Sequence, residues 1–158
     1  MRADAGLERL GAAELARAIA TGCCSAREAV DAHVARIEAV NPALNAVVVT
    51  RFDHARAEAD EADSAHRAGA ALGPLHGVPV TLKEQFALAG TPATLGVAGA
   101  PLADADGPLV ARLRAAGAIV LGKTNVPQLL IYNETDNPVY GRTNHPENPA
   151  RSPGGSSG

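Results

Sequence analysis

Apolar and polar positions change their period several times along this chain, and each change marks an element. Leu7 to Thr21 is rich in Ala, Leu and Glu, which enter helices at little cost, and Gly22 is placed to end that helix. Ser25 and Glu28 form an S-x-x-E capping box that opens a second helix. Val30, Val34 and Ile37 give it an apolar stripe, and Asn41-Pro42 is expected to stop it. Asn45 to Thr50 (NAVVVT) is β-branched enough for a strand. An Ala-rich helix follows from Asp53 to Ala68, closed by Gly69 and the turn around Gly73-Pro74. In GVPVTLKE, Gly77 to Glu84, strict alternation predicts a strand. Val78, Val80 and Leu82 fall on one face, with Thr81 and Lys83 on the other.

From Gly90 to Ala105 no period is visible, which reads as loop. Asp106 and Pro108 start a helix that runs past Leu109 and Leu113 to Ala116. Gly117 closes it, Ala118 to Leu121 (AIVL) is a short buried strand, and PQLLIY is a brief helical turn. From Asn133 onward the chain is dense in Asn, Pro, Gly and Thr. It lacks internal repeats, and helices alternating with strands predict an α/β protein with helices on the sheet faces.

Composition narrows the class without changing the outline. The chain has 158 residues, room for one ordinary domain, and 46% hydrophobic against 20% charged residues reads as globular. A net charge of −3 and 3% aromatics argue against nucleic acid as a partner. No apolar run approaches the roughly 20 residues that span a bilayer, and MRADAGLERL lacks the apolar core of a signal peptide. The adjacent cysteines Cys23 and Cys24 match neither redox nor zinc-ligand spacing, so a reducing, cytoplasmic setting is the plain reading.

Candidate chemistry is sparse. GAIVLGKT, residues 117–124, fits the phosphate-loop pattern formally. The four residues that should be loop are instead the best strand nearby, and Pro127 prevents Lys123 from opening a helix, so we reject a nucleotide site. Lys123 then reads as structural, pairing with backbone at a strand end. The five histidines, His33, His54, His66, His76 and His145, show no ligand spacing, and no metal is expected. His33 reads as a partly buried packing residue. Two features are left over. Lys83 shares its residue type only with Lys123, and a lysine can lose its proton when buried, but a solvated strand lysine is the commoner kind. The closing stretch NPARSPGGSSG fits either a flexible linker or a turn-rich loop built around a reacting atom.

Three blocks settle the choice by resemblance. GPLHGVPVTLKE, GPLVARLRAAGAIVLGKTNVPQL and NETDNPVYGRTNHPENPARSPGGSSG follow one another in this order. Together they resemble the N-terminal part of an amidase-signature serine hydrolase, from about Leu72 onward. The resemblance implies a Ser–Ser–Lys triad without a cofactor. It places the lysine at Lys83 and the bridging serine, held in a cis peptide, at Ser156. Gly154, Gly155 and Ser157 would support the triad loop. The nucleophilic serine of the family comes from a Gly-Ser motif further along, beyond Gly158. Glu84 stands where Asp is commoner in the family. His145 and Glu147 stand where Asn and an aromatic are frequent.

The expected fold is accordingly the N-terminal part of an α/β/α amidase-signature fold with a mixed, incomplete central sheet. Residues 1–71 would form a helical lead-in with the first strand and long helix, and residues 72–158 the triad-bearing region. The implied activity is hydrolysis of a small-molecule amide to an acid plus ammonia or amine. The chain alone is expected to be inactive and to fold poorly because of open strand edges. A non-catalytic interaction module derived from the fold is the alternative, as is a glutamyl-tRNA amidotransferase A-type subunit. IYNETDNPVYG lacks the D-E-F-x-M-G run of those subunits, which favours a stand-alone amidase. No nucleic acid or membrane partner is expected, and a homodimer of the complete protein is left open.

Overall fold

The computed structural model of the chain describes residues 6–157. A 3-10 turn at Leu7–Arg9 precedes α1 (Ala12–Ala20), α2 (Ala26–Leu44), β1 (Val47–Thr50) and α3 (Phe52–Arg67). Then come β2 (Pro79–Lys83), α4 (Pro108–Ala115), β3 (Ile119–Thr124) and a second 3-10 turn at Gln128–Leu130. The three strands form one mixed sheet in the order β1-β3-β2. β1 and β3 are antiparallel, with Val47 opposite Thr124, Val49 opposite Lys123 and Thr50 opposite Gly122. β2 and β3 run parallel: the Ile119 amide donates to Val78 O at 2.9 Å and the Glu84 amide to Thr124 O at 3.0 Å. The class is mixed α/β, as the alternation of elements predicts.

Most boundaries fall within two residues of the sequence expectation, and the three larger differences each have a local reason. The first helix is split, because Gly11 is extended and caps a new start, its amide donating to the Glu14 carboxylate at 2.9 Å. The second helix does not stop at Asn41-Pro42 but continues to Leu44 with Pro42 inside it. Pro42 gives up its own N–H bond within the last turn, and the helix closes around it. Asn45 still donates its amide to Asn41 O at 2.7 Å. The Asn41 side chain accepts from the Ala46 and Val47 amides, both at 2.8 Å, and so turns the chain into β1. The third difference is β3, which runs on through Gly122-Lys123-Thr124 instead of ending at Leu121. A Cβ on Gly122 would lie 2.3 Å from Val49 O, so only glycine lets β1 pass this close. The Ser25–Glu28 box is formed as read, with Glu28 N donating to Ser25 Oγ at 3.0 Å and Ser25 N to Glu28 Oε2 at 2.8 Å.

The chain divides into two compact units built from alternating stretches. The first comprises the described residues up to Ile37 together with Arg51–Val80 and Arg112–Leu121. Its core gathers Leu15 and Ile19 of α1, Ala26, Ala29, Val30 and Val34 of α2, Ala55 and Ala59 of α3, and Val78, Ile119 and Leu121. Full burial of each larger aliphatic there contributes about 1.5–3 kcal/mol, and the small alanines let the helices approach closely. Asp63 of α3 accepts the Ala26 and Arg27 amides at 2.7 and 3.1 Å, which caps α2 from a neighbouring helix. The second unit comprises Glu38–Thr50, Thr81–Ala111 and the described residues from Gly122 on. It is mostly loop, and it holds the candidate site.

Candidate active site

Strand alternation decides where Lys83 points. In β2 Leu82 is buried and Thr81 exposed, while Lys83, the last residue of the strand, is half-buried. Its Nζ donates to Ser156 Oγ at 2.6 Å, across 73 residues of sequence. The Gly155–Ser156 peptide is cis. The loop bearing Ser156 is held by backbone: Gly154 pairs with Glu134 in an isolated bridge, and the Gly155 amide donates to Asn133 O. A Cβ on Gly155 would stand 2.8 Å from Tyr132 O, so the second glycine of the GGSS run is needed for this approach. Gly154 has open space in the same direction, and Ser157 is exposed.

A polar scaffold surrounds this contact, and sequence reasoning missed most of it. Glu84 is fully buried, and its carboxylate accepts the Thr94 amide at 2.6 Å, the Leu95 amide at 3.0 Å and the Tyr140 hydroxyl at 3.1 Å. Lys123 is fully buried too, and its Nζ donates to Pro92 O. It meets backbone as expected, but from inside the strand, not at its end. Burial pushes the Lys123 ammonium below its ordinary pKa, and the Glu84 charge pulls it partly back. Burial raises the Tyr140 phenol. Asn137 donates to Asn125 Oδ1 and Val126 O at 2.8 and 2.7 Å, and accepts the Val139 and Tyr140 amides at 2.9 and 2.8 Å. Asn125 in turn donates to Gly141 O and Thr143 Oγ1 at 2.9 and 3.0 Å. The density of Asn in residues 125–148 was the available signal. Asparagine offers donors and acceptors in one flat group, and such residues stand where a loop must be tied to itself.

A cavity of about 570 Å³ is lined by Gln128, Tyr132, Asn133, Glu134, Asn137 and Pro138 among others, and neither Lys83 nor Ser156 is part of its wall. Asn133 and Glu134 thus serve both the cavity wall and the frame of the Gly155–Ser156 peptide. Among the described residues, no group of three or more His, Cys, Asp or Glu is placed to hold a metal ion. Nor is any described helix long and apolar enough to cross a membrane.

The pairing of a strand-end lysine with a serine in a glycine-rich loop is carried on a sequence that matches a known family. The family described as Amidase matches residues 28–158, and the chain belongs to it. An indoleacetamide hydrolase of Bradyrhizobium diazoefficiens is 46% identical over 149 residues, covering 93% of this chain and 28% of that protein. An acylamidase of Rhodococcus erythropolis is 41% identical over 158 residues, 98% of this chain and 33% of its own length. Among solved structures, a bacterial aryl acylamidase of the amidase-signature family superposes with a TM-score of 0.86 at 32% identity. That match covers 94% of this chain and 31% of the other. The chain therefore spans about a third of the length of the relatives it matches.

Proposed function

We propose that this chain supplies the lysine and the bridging serine of an amide hydrolase that works by a Ser–cis-Ser–Lys relay. The observation that carries the reading is the 2.6 Å contact between Lys83 Nζ and Ser156 Oγ. A hydroxyl both donates and accepts, so Ser156 can pass a proton to Lys83 while taking one from a second serine. That second serine is the nucleophile the family resemblance implies, contributed by sequence outside residues 1–158. Lys83 takes the part of the base. As the nucleophile attacks the amide carbonyl, its proton moves to Ser156 and the Ser156 proton to Lys83. Collapse of the tetrahedral adduct breaks the C–N bond, and the proton returns along the same path to the departing nitrogen. Water then takes the place of the nucleophile's hydroxyl, repeats the sequence and releases the acid.

Gly154, Gly155 and Ser157 would serve this relay by shaping the loop. The cavity bounded by Tyr132, Asn133 and Glu134 offers room for a small amide. Relatives named for indoleacetamide hydrolysis and for acylamidase activity support a small organic amide as the substrate class. No step calls for a cofactor.

The test is made in the complete enzyme that contains this chain, with indole-3-acetamide and an anilide as probes. Lys83→Ala and Ser156→Ala should each lower kcat/KM by about 10²–10⁴-fold, the range for removal of a general base or its relay. Full activity in Lys83→Ala would overturn the relay, and a complete, unaltered protein that hydrolyses neither probe would favour the non-catalytic alternative. An A-type amidotransferase subunit is the weaker alternative, since IYNETDNPVYG lacks the run that marks those subunits.

A further inference from the structure

Glu84 and Lys123 are two fully buried charges that the relay does not use. They lie on neighbouring strands: Glu84 directly follows β2 and donates its amide to Thr124 O at 3.0 Å, next to Lys123 in β3. Both grip the same short loop. Lys123 holds Pro92 O, while Glu84 holds the amides of Thr94 and Leu95. Each charge gives up hydration to be there, and an isolated buried charge is strongly disfavoured. Apolar residues of similar volume would fill the same space at less cost, so burial of this pair is weak evidence of a stabilising role. Holding one backbone geometry is the use that remains.

The geometry held is an unusual one. Leu95 has φ of 53°, and Leu129 and Leu130 have φ of 53° and 62°, all in the left-handed region that leucine avoids. Such residues persist where their surroundings over-determine them, and they gather at functional sites. The two segments are joined directly, since the Leu129 amide donates to Leu95 O at 2.7 Å. From Leu129 the chain runs in four residues to Asn133, whose carbonyl holds the Gly155 amide beside Ser156. On the other side, Glu84 is bonded covalently to Lys83.

We infer that Glu84 and Lys123 are positioning residues for the Lys83–Ser156 contact. Glu84 fixes the strand end that presents Lys83. Together with Lys123 it also fixes the Pro92–Leu95 loop, against which the segment framing Ser156 is set. Tyr140 acts with them through its hydroxyl on Glu84. This inference rests on the relay proposed above, and its test keeps the two separable.

In the complete enzyme, kcat and KM are measured per folded molecule for Glu84→Gln, Lys123→Met and the double variant, with Lys83→Ala as control. Misplacement of reacting groups by about 1 Å costs about 10²-fold in rate, so each single variant should lose kcat on that scale. KM should stay within about threefold, because the loss concerns the reacting step and not ground-state binding. Glu84→Gln should cost much less when Lys123 is already Met, as residues acting through one loop are coupled. A purely structural role would lower the melting temperature and leave kcat per folded molecule unchanged. That result, with Lys83→Ala inactive, overturns the inference alone. An active Lys83→Ala overturns the relay and removes the object being positioned. Should the charge variants fail to fold, Tyr140→Phe buries no unpaired charge and still loosens Glu84. A kcat three- to tenfold lower, at about unchanged KM, supports positioning, and an unaltered kcat refutes it.

Discussion

The first unit buries Leu15, Ile19, Val30 and Val34 among alanines, and Asp63 is its one buried polar residue among those described. The second unit buries Glu84, Thr91, Thr94, Lys123, Asn125, Thr135, Asn137 and Thr143. The two solve the same problem by opposite means. Apolar burial is non-directional, so a core of aliphatics accepts small changes of shape at modest cost. Hydrogen-bonded loops are directional: each side chain fixes the path of a particular stretch of backbone and leaves groups unpaired when it is lost. The relay proposed for Lys83 and Ser156 calls for the second kind of order, because the tolerance of a catalytic geometry is far tighter than that of a core.

The largest effect on stability should therefore come from an asparagine in a loop and not from a helix core. Asn137→Leu keeps the number and branching of side-chain heavy atoms but deletes four hydrogen bonds and strands Val126 O and the Val139 and Tyr140 amides. Its expected cost is about 3 kcal/mol or more, since a single unsatisfied buried group already costs about 1–3 kcal/mol. Ile19→Val, fully buried in the first unit, should cost about 0.5–1.5 kcal/mol. Denaturant titration of the complete protein checks both. Equal costs would mean that the loops are not specified by their asparagines.

This contrast also explains what could be read from sequence. Elements held by apolar periodicity were legible: the second and third helices, the β2 alternation and the Ser25–Glu28 box all follow from local pattern. Boundaries set by contacts distant in sequence were not. β3 extends through Gly122–Thr124 because β1 is paired to it, and Pro42 is tolerated because Asn41 binds the start of β1. The helix expected over Leu7–Thr21 breaks at Gly11, where a cap formed with Glu14 outweighs the helix-forming composition around it. At the candidate site, Lys83 and Ser156 could be named only through family resemblance, since their meeting spans 73 residues. The sequence marks Lys123 only as a lysine that pairs with backbone and Glu84 only as a residue standing where Asp is commoner, and it marks Tyr140 not at all. A buried charge looks like a surface charge until the partners that surround it are known.

An alkaline titration sharpens the comparison at the next level. Burial holds Lys123 below its ordinary value of 10.5. Between the folded value and 10.5 the unfolded chain binds more protons, so this group makes stability rise with pH across that window. Tyr140 is raised above 10.0, so above 10.0 the folded state keeps a proton that the unfolded chain releases, and stability falls. Lys123→Met should abolish the rise and Tyr140→Phe the fall, each read from denaturation midpoints at a series of pH values. A profile unchanged by Lys123→Met would place that side chain in water, contrary to its burial.

The smallest effect belongs to the charged surface of the first unit. Arg27 and Arg56 donate to Asp31 at 2.7 and 2.9 Å, and Arg27 also reaches Asp60 at 2.8 Å. Burial pushes the Asp31 carboxyl up, but the bonds from the two arginines outweigh it, and its pKa lies below 3.8. The stability it contributes is therefore present above pH 3.8 and lost as pH falls through the lower, folded value. Asp31 is 44% exposed, so solvent screens most of this. Asp31→Asn should cost no more than about 1 kcal/mol at neutral pH, and close to nothing in about 1 M salt, where the Debye length is about 3 Å. The two ion contacts of Asp31 would then weigh less than the hydrogen bonds of Asn137 alone. If Asp31→Asn instead cost more than Asn137→Leu, directed polar contacts would govern both units, and the division between a tolerant apolar core and an exacting polar one would fail.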